Sequence, residues 1–157
     1  LYNGIHPTLA VHSKVLLNKG LACGYNKDYQ QATKYLSYAS QLDPSNVEIW
    51  TNLAGSQFAQ GYFTDAVTSF KKAIELNPSL HDAQAGLQSS EQFLKLETEC
   101  RNNPTNITMW LADAAIFNQY GFAKTAHEYY NHVLELQPGN VQAKQGSLAT
   151  QGKENKK

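Results

Sequence analysis

The sequence has little of what catalysis, nucleic-acid binding or membrane insertion would require. Cysteine occurs twice in 157 residues, at Cys23 and Cys100. The two fall in separate helical patterns and read as small, half-buried thiols rather than a disulfide. Neither charge sign is in excess, with thirteen Lys and Arg against thirteen Asp and Glu. That balance excludes the basic stripe of a nucleic-acid binder and offers no pull toward an anionic membrane. No apolar run approaches the ~18 residues of a spanning helix, so no membrane insertion by this segment is expected. There is no phosphate-cradling glycine loop, no nucleophile motif and no carboxylate pair. The expectation is no catalytic residue, no cofactor and no metal. Apolar content of 41% is still enough to bury a core, which excludes a disordered polypeptide.

The nearest approach to a metal motif is His127-Glu128-Tyr129-Tyr130-Asn131-His132. A zinc-protease helix needs its histidines four apart so that both lie on one face. These are five apart, about 140° round a helix, so they diverge. They read as solvent-facing histidines beside a buried Tyr130. His6, His12 and His81 have no partner cluster. Tyr35, Tyr129 and Tyr130 lack basic neighbours and read as core rather than as base-stacking platforms. Asn106-Ile107-Thr108 is a glycosylation sequon of a kind frequent by chance. The chain begins at Leu1 without a methionine or signal peptide, so a piece of a longer protein or a processed product is expected. Composition does not separate a cytoplasmic from a periplasmic location.

What is present is a pattern centred on residues 47–80. Val47, Trp50, Leu53, Ala54 and Phe58 recur at helical spacing. Ser45 with Glu48 forms a capping box before them, and Gly61 ends the helix because glycine enters the left-handed region freely. Phe63, Ala66, Val67, Phe70, Ala73 and Ile74 mark a second helix, closed at Asn77-Pro78.

The pattern repeats. Shifted back by one period, Ala66, Phe70, Ala73 and Pro78 fall on Ala32, Leu36, Ala39 and Pro44. Further on, Trp110, Ala114, Gly121, Ala126, Tyr130, Val133, Leu136 and Pro138 form the same series. The closing prolines are Pro44, Pro78, Pro104 and Pro138, so the intervals are 34, 26 and 34 residues. One period is short by about two helical turns.

This series resembles the tetratricopeptide repeat family, through Trp50, Leu53, Gly61, Ala66, Phe70, Ala73 and Pro78. It departs from that pattern at Ala54, where the family has Gly, and at Gln57, where it often has Tyr. The resemblance implies an all-α fold, a right-handed α-α superhelix of antiparallel helix pairs with a long connecting or capping helix. A single array over 1–157 is expected, with repeats at about 13–46, 47–80 and 107–140. Residues 81–104 form one long helix or two with almost no turn, 141–150 a cap, and 151–157 a frayed tail. In the first repeat Asp28 with Gln31 caps the second helix. Lys27 stands where later copies have glycine, so the turn glycine is expected to have moved to Gly24. Ser79 and Asp82 are the expected start of the long helix. Small residues at Ala66, Ala73, Ala114 and Ala126 allow close helix approach, while Trp50, Phe70, Trp110 and Tyr130 fill the space between.

The resemblance further implies that first helices line a concave groove for a partner peptide or helix. By register the groove residues are Lys14, Asn18, Leu21 and Tyr25, then Glu48, Thr51, Asn52, Gly55 and Phe58, then Asp82 and Ser89. Asn52 stands out because an amide both donates and accepts; the plainer reading is a solvated helix residue. One family subset grips a peptide's C-terminal carboxylate with Lys, Asn, Asn, Lys and Arg. Here those places hold Leu17, Leu21, Asn52, Asp82 and Gly86, so that clamp is absent and an apolar or mixed peptide is implied. The expected function is a non-catalytic protein-interaction scaffold. Two other readings stand beside it: the soluble portion of a membrane-bound, glycosyltransferase-like or ligase-like enzyme, and a self-associating module forming homo-oligomers.

Overall fold

Hydrophobic residues at three- and four-residue spacing, interrupted by Asx-Pro and glycine turns, produce eight helices and no strand among the described residues. The computed structural model describes residues 7–153. The helices are α1 (Pro7–Tyr25), α2 (Tyr29–Leu42), α3 (Val47–Ala59), α4 (Phe63–Leu76), α5 (His81–Asn102), α6 (Ile107–Gln119), α7 (Ala123–Leu136) and α8 (Val141–Gln151). The expected lead-in before Pro7 and the last four residues of the tail lie outside the described residues. The long segment after the second repeat is one helix over 81–102, and the cap helix runs to Gln151, one residue past its expected end.

The chain divides into two compact units, with the boundary inside α5 between Phe93 and Leu94. In the first unit, α1 packs on α2 and α2 on α3. One core cluster there joins Leu17, Ala32, Leu36, Ala39, Ile49 and Leu53. A second joins Ala54, Ala66, Phe70, Ala73 and Ala83. Alanines with no exposed surface let the backbones approach, and Leu36 and Phe70 fill the volume they leave. In the second unit, α6 packs on α7 and α7 on α8, around Ala114, Phe117, Ala126, Tyr130 and Val133.

The three tight turns share one geometry. Asp28, Tyr62 and Phe122 each donate a backbone N–H five residues back, to Cys23, Gln57 and Phe117. This is a Schellman closure, which requires a left-handed residue just before the donor. Gly61 (φ 80°) and Gly121 (φ 88°) supply it in two copies, and Lys27 (φ 61°) supplies it in the first. The turn glycine has therefore not moved to Gly24, which remains helical within α1. Lys27 takes the strained conformation itself.

Helix starts follow the sequence in part. Asp28 Oδ1 accepts from the Gln31 N–H at 3.1 Å, as expected. At α3 the cap is Asn46, whose Oδ1 accepts from Ile49 N–H at 3.3 Å. Ser45 instead donates its hydroxyl to Asp43 Oδ1 at 2.9 Å, so the Ser45–Glu48 capping box does not form. Ser79 likewise donates to Asn77 Oδ1 at 2.7 Å and ties the loop rather than α5.

Indole nitrogens fasten two interrepeat loops. Trp50 Nε1–H donates to the Pro44 carbonyl at 2.9 Å, and Trp110 Nε1–H to the Asn103 carbonyl at 3.1 Å. Gln84, at the equivalent place in α5, donates to the Pro78 carbonyl at 2.8 Å. The same register position holds each loop onto the helix that follows it.

Candidate functional site

The first unit contains an open trough of about 340 Å³ between α1 and α3. From α1 come Gly20, Leu21, Gly24 and Tyr25; from α3 come Thr51, Asn52, Gly55 and Ser56. Tyr29 and the buried Leu36 of α2 complete it, Leu36 forming the floor. Two of the residues that line it, Gly24 on α1 and Gly55 on α3, carry no side chain, and a Cβ at either would meet nothing within 4 Å, whereas Gly20 packs against Leu36. Its walls are mainly apolar, and its polar groups are concentrated on α3.

Five of the residues expected from the repeat register line this trough: Leu21, Tyr25, Thr51, Asn52 and Gly55. Lys14, Asn18, Glu48 and Asp82 are exposed and Ser89 half-buried, and none of them lines it. Phe58 is placed differently. Its ring meets Phe63 edge-on at 5.6 Å and Phe93 at 5.8 Å, and it packs against the second core cluster. It serves the core and offers the trough no face. Gly20, Gly24, Tyr29, Leu36 and Ser56 also line the trough. The first two could have been found from their spacing with Tyr25 on α1, but Ser56 reads as an ordinary helix residue in sequence.

Two polar groups of α3 are already spent. Thr51 donates its hydroxyl to the Val47 carbonyl at 2.9 Å. Asn52 Nδ2 donates to the Glu48 carbonyl at 2.8 Å, which leaves its Oδ1 as an acceptor. Leu17 is buried in the core and Gly86 is covered by the Phe70 ring. Neither presents a side chain that could grip a carboxylate.

Gln57, the departure from the family pattern, accepts from the Ser69 hydroxyl at 2.7 Å. A polar pair thus joins α3 to α4 at that place.

The histidines of the second unit do not face solvent as the sequence suggested. His132 is half-buried; its Nε2 lies 2.7 Å from the Pro104 carbonyl. A carbonyl only accepts, so Nε2 carries the proton. The His132 ring lies 4.1 Å from that of Trp110. His127 Nδ1 contacts the Ser147 carbonyl and the Thr150 hydroxyl, each at 3.1 Å, and so helps seat α8 on α7. Among the described residues no three His, Cys, Asp or Glu side chains gather as a metal site would require. None of the described helices is long and apolar enough to cross a membrane.

A buried polar cluster lies in the second unit. Cys100 has no exposed surface and donates its thiol to Asp113 Oδ2 at 3.1 Å. Burial holds the Asp113 carboxyl above the usual carboxylate range, and the neighbouring Glu99 adds to this, while the bond from Cys100 lowers it. Burial, followed by the bond to Asp113, pushes the Cys100 thiol up as well. Glu97 is raised by burial, opposed by Arg101 and reinforced by Glu128. A thiol held in its neutral form is a poor nucleophile.

Residues 25–89 match the family model of the tetratricopeptide repeat. Over 61 residues, 39% of this chain, the sequence is 44% identical to the Protein STIP1 homolog of Dictyostelium discoideum and spans 11% of it. Over 82 residues, 52% of this chain, it is 32% identical to the Protein SGT1 homolog of Oryza sativa subsp. japonica and spans 22% of it. The chain thus covers less than a quarter of either relative. Among solved structures, the first tetratricopeptide domain of Spaghetti (RPAP3), bound to the HSP90 peptide SRMEEVD, is 23% identical. That alignment covers 91% of this chain and 93% of the other, with a TM-score of 0.53. The shared feature is the fold, an all-α helical repeat.

Proposed function

We propose that this chain, which belongs to the tetratricopeptide repeat family, is a non-catalytic adaptor that holds a segment of a partner protein in the groove lined by its first helices. The observation that carries this reading is the mainly apolar trough between α1 and α3, where Leu21, Tyr25, Thr51, Asn52 and Gly55 converge. A concave, largely apolar surface with a few placed polar groups is the usual form of a recognition site. The relatives lend support, since one tetratricopeptide domain of this fold was solved with a bound peptide. Lys14, Asn18, Glu48, Asp82 and Ser89 are assigned to the rim of the same groove.

The partner differs in character from the acidic peptide held by that relative. The places that would need Lys or Arg hold Leu17, Asp82 and Gly86, and Asp82 repels an acidic chain. An apolar or mixed segment fits better. The test is a pull-down from the source cell, comparing wild type with an Asn52→Ala, Gly55→Leu double variant that keeps the wild-type circular dichroism. Proteins captured by the wild type and lost with the variant support the groove. An identical set on both sends the binding elsewhere on the molecule.

A further inference from the structure

The second unit departs from the repeat's apolar pattern at one seam. Pro44 and Pro104 close equivalent loops 60 residues apart. At that offset Ser37, Ala39 and Leu53 of the first unit fall on Glu97, Glu99 and Asp113. Leu53 is 3% exposed and belongs to the core cluster shared with α2. Asp113 is almost as well covered, at 6%, and puts a carboxyl where the first unit has an alkyl chain. Burying a carboxyl without a cation costs stability and needs a reason.

The groups that face this carboxyl are acidic or neutral. From α5 come Glu99 and the Cys100 thiol, which donates to Oδ2 at 3.1 Å. From α7 comes Tyr129, which is nearly buried. α6 has no other charged residue, and the one charged residue of α8, Lys144, is exposed. Glu97 is half-buried beside Tyr129 and Glu128 of α7. The nearby cation, Arg101, acts on Glu97 and Tyr129, not on Asp113. Among the described residues no salt bridge reaches Asp113. Burial and Glu99 both oppose its ionisation while the seam is closed.

We propose that Asp113 and Cys100 form a proton-operated latch that holds the last turns of α5, residues 97–102, against α6. With its proton in place the carboxyl is neutral, and the seam packs as its counterpart at Leu53 does. As pH rises the proton leaves to water. The charge left behind, beside Glu99 and shut off from solvent, is hydrated only if the helix end loosens. Opening returns the carboxyl to the ordinary range, so the closed form is favoured at low pH and weakened as pH rises through the closed-state value. The change stays local because the next loop is fastened separately, by Trp110 at the Asn103 carbonyl and by His132 at the Pro104 carbonyl. This inference concerns the second unit and is independent of the adaptor reading.

The test is the labelling rate of Cys100 by a pyridyl disulfide, from about pH 4 to about pH 8. The full chain carries Cys23→Ala, so Cys100 is the one thiol, and is compared with the same chain bearing Asp113→Asn or Asp113→Leu. Thermal melts establish that each protein is folded, and the leucine variant serves if the asparagine variant is not. Dividing the rate with Asp113 by that of the variant cancels the thiol's own pH dependence. The expected ratio rises several-fold with pH and levels off once the closed form is ionised. Hydrogen exchange should quicken over 97–102 with little change over 107–136. A ratio that stays flat overturns the latch. Exchange that quickens equally over both segments overturns it too, since the whole unit is then unfolding.

Discussion

The ring of Phe70 occupies the space that a side chain at Gly86 would need, and Tyr130 stands in the same relation to Gly146. In each case an aromatic residue of one helix inserts against a glycine of the next. Replacing an interior helical glycine by alanine ordinarily stabilises by about 0.5–1 kcal/mol. Here the added methyl must displace a ring packed in the core, and overpacking of that kind costs about 1–3 kcal/mol. Gly86→Ala and Gly146→Ala are therefore expected to lower the denaturation midpoint. A rise at either position would mean that the ring moves aside freely.

The opposite sign is expected at Gly24 and Gly55, where an added methyl meets nothing. Each alanine should contribute about 0.5–1 kcal/mol by restricting the unfolded chain and favouring the helix. Urea unfolding of the single variants measures it. A loss of stability would show that these glycines serve the fold and not the trough.

Lys27 holds the left-handed position that glycine holds at Gly61 and Gly121. A side chain there costs about 1–2 kcal/mol, partly offset by the greater freedom glycine has when unfolded. Lys27→Gly is accordingly expected to stabilise by about 0.5–1 kcal/mol. The readout is the thermal midpoint. No gain would mean that the turn relaxes to accommodate lysine.

Trp50 combines a half-buried ring with its bond to the Pro44 carbonyl. Trp50→Ala should cost about 3–5 kcal/mol, a large part of the about 5–15 kcal/mol that stabilises an ordinary domain. Trp50→Phe keeps most of the apolar area and should cost less, about 1 kcal/mol being due to the lost hydrogen bond. A melting curve unchanged in Trp50→Ala would refute the repeat register.

The repeat made the helices legible because its apolar positions are set by packing between neighbours. The bounds of α6 and α7 follow from Trp110, Ala114, Ala126 and Val133 with no other information. What escaped the sequence depended on competition among polar groups. Ser45 and Glu48 have the capping spacing, yet Asn46, one residue later, is the better-placed acceptor for Ile49 N–H. Lys27 breaks the usual preference for glycine because three-point closure of the turn overrides a local cost. At the candidate site, helical register brought Leu21, Tyr25, Thr51, Asn52 and Gly55 together. It misplaced Phe58, because the aromatic cluster that captures this ring needs Phe93, one of the residues of α5 that no repeat spacing specifies. Ser56 was invisible, since its place beside the trough is a property of the folded surroundings.

Asp113 gives the second unit a pH dependence opposite to that of most carboxylates. Its folded-state pKa is raised, chiefly by burial, and that of Glu97 is raised for the same first reason. The folded state then binds more protons than the unfolded state between the ordinary carboxylate pKa, about 4, and the raised value. The stabilisation is fully present below the ordinary value and is lost as pH rises through the folded one. Melting of the chain should therefore improve, or fall less than its other carboxylates would dictate, as pH is lowered from neutrality toward about 4. Asp113→Asn removes one titrating group while leaving an oxygen to accept from the Cys100 thiol, so its midpoint should vary less with pH than wild type does. Thermal melts of both proteins across that range decide the matter. Parallel curves would show that the carboxylate is ionised in the folded protein and that its burial is offset by some partner other than Cys100.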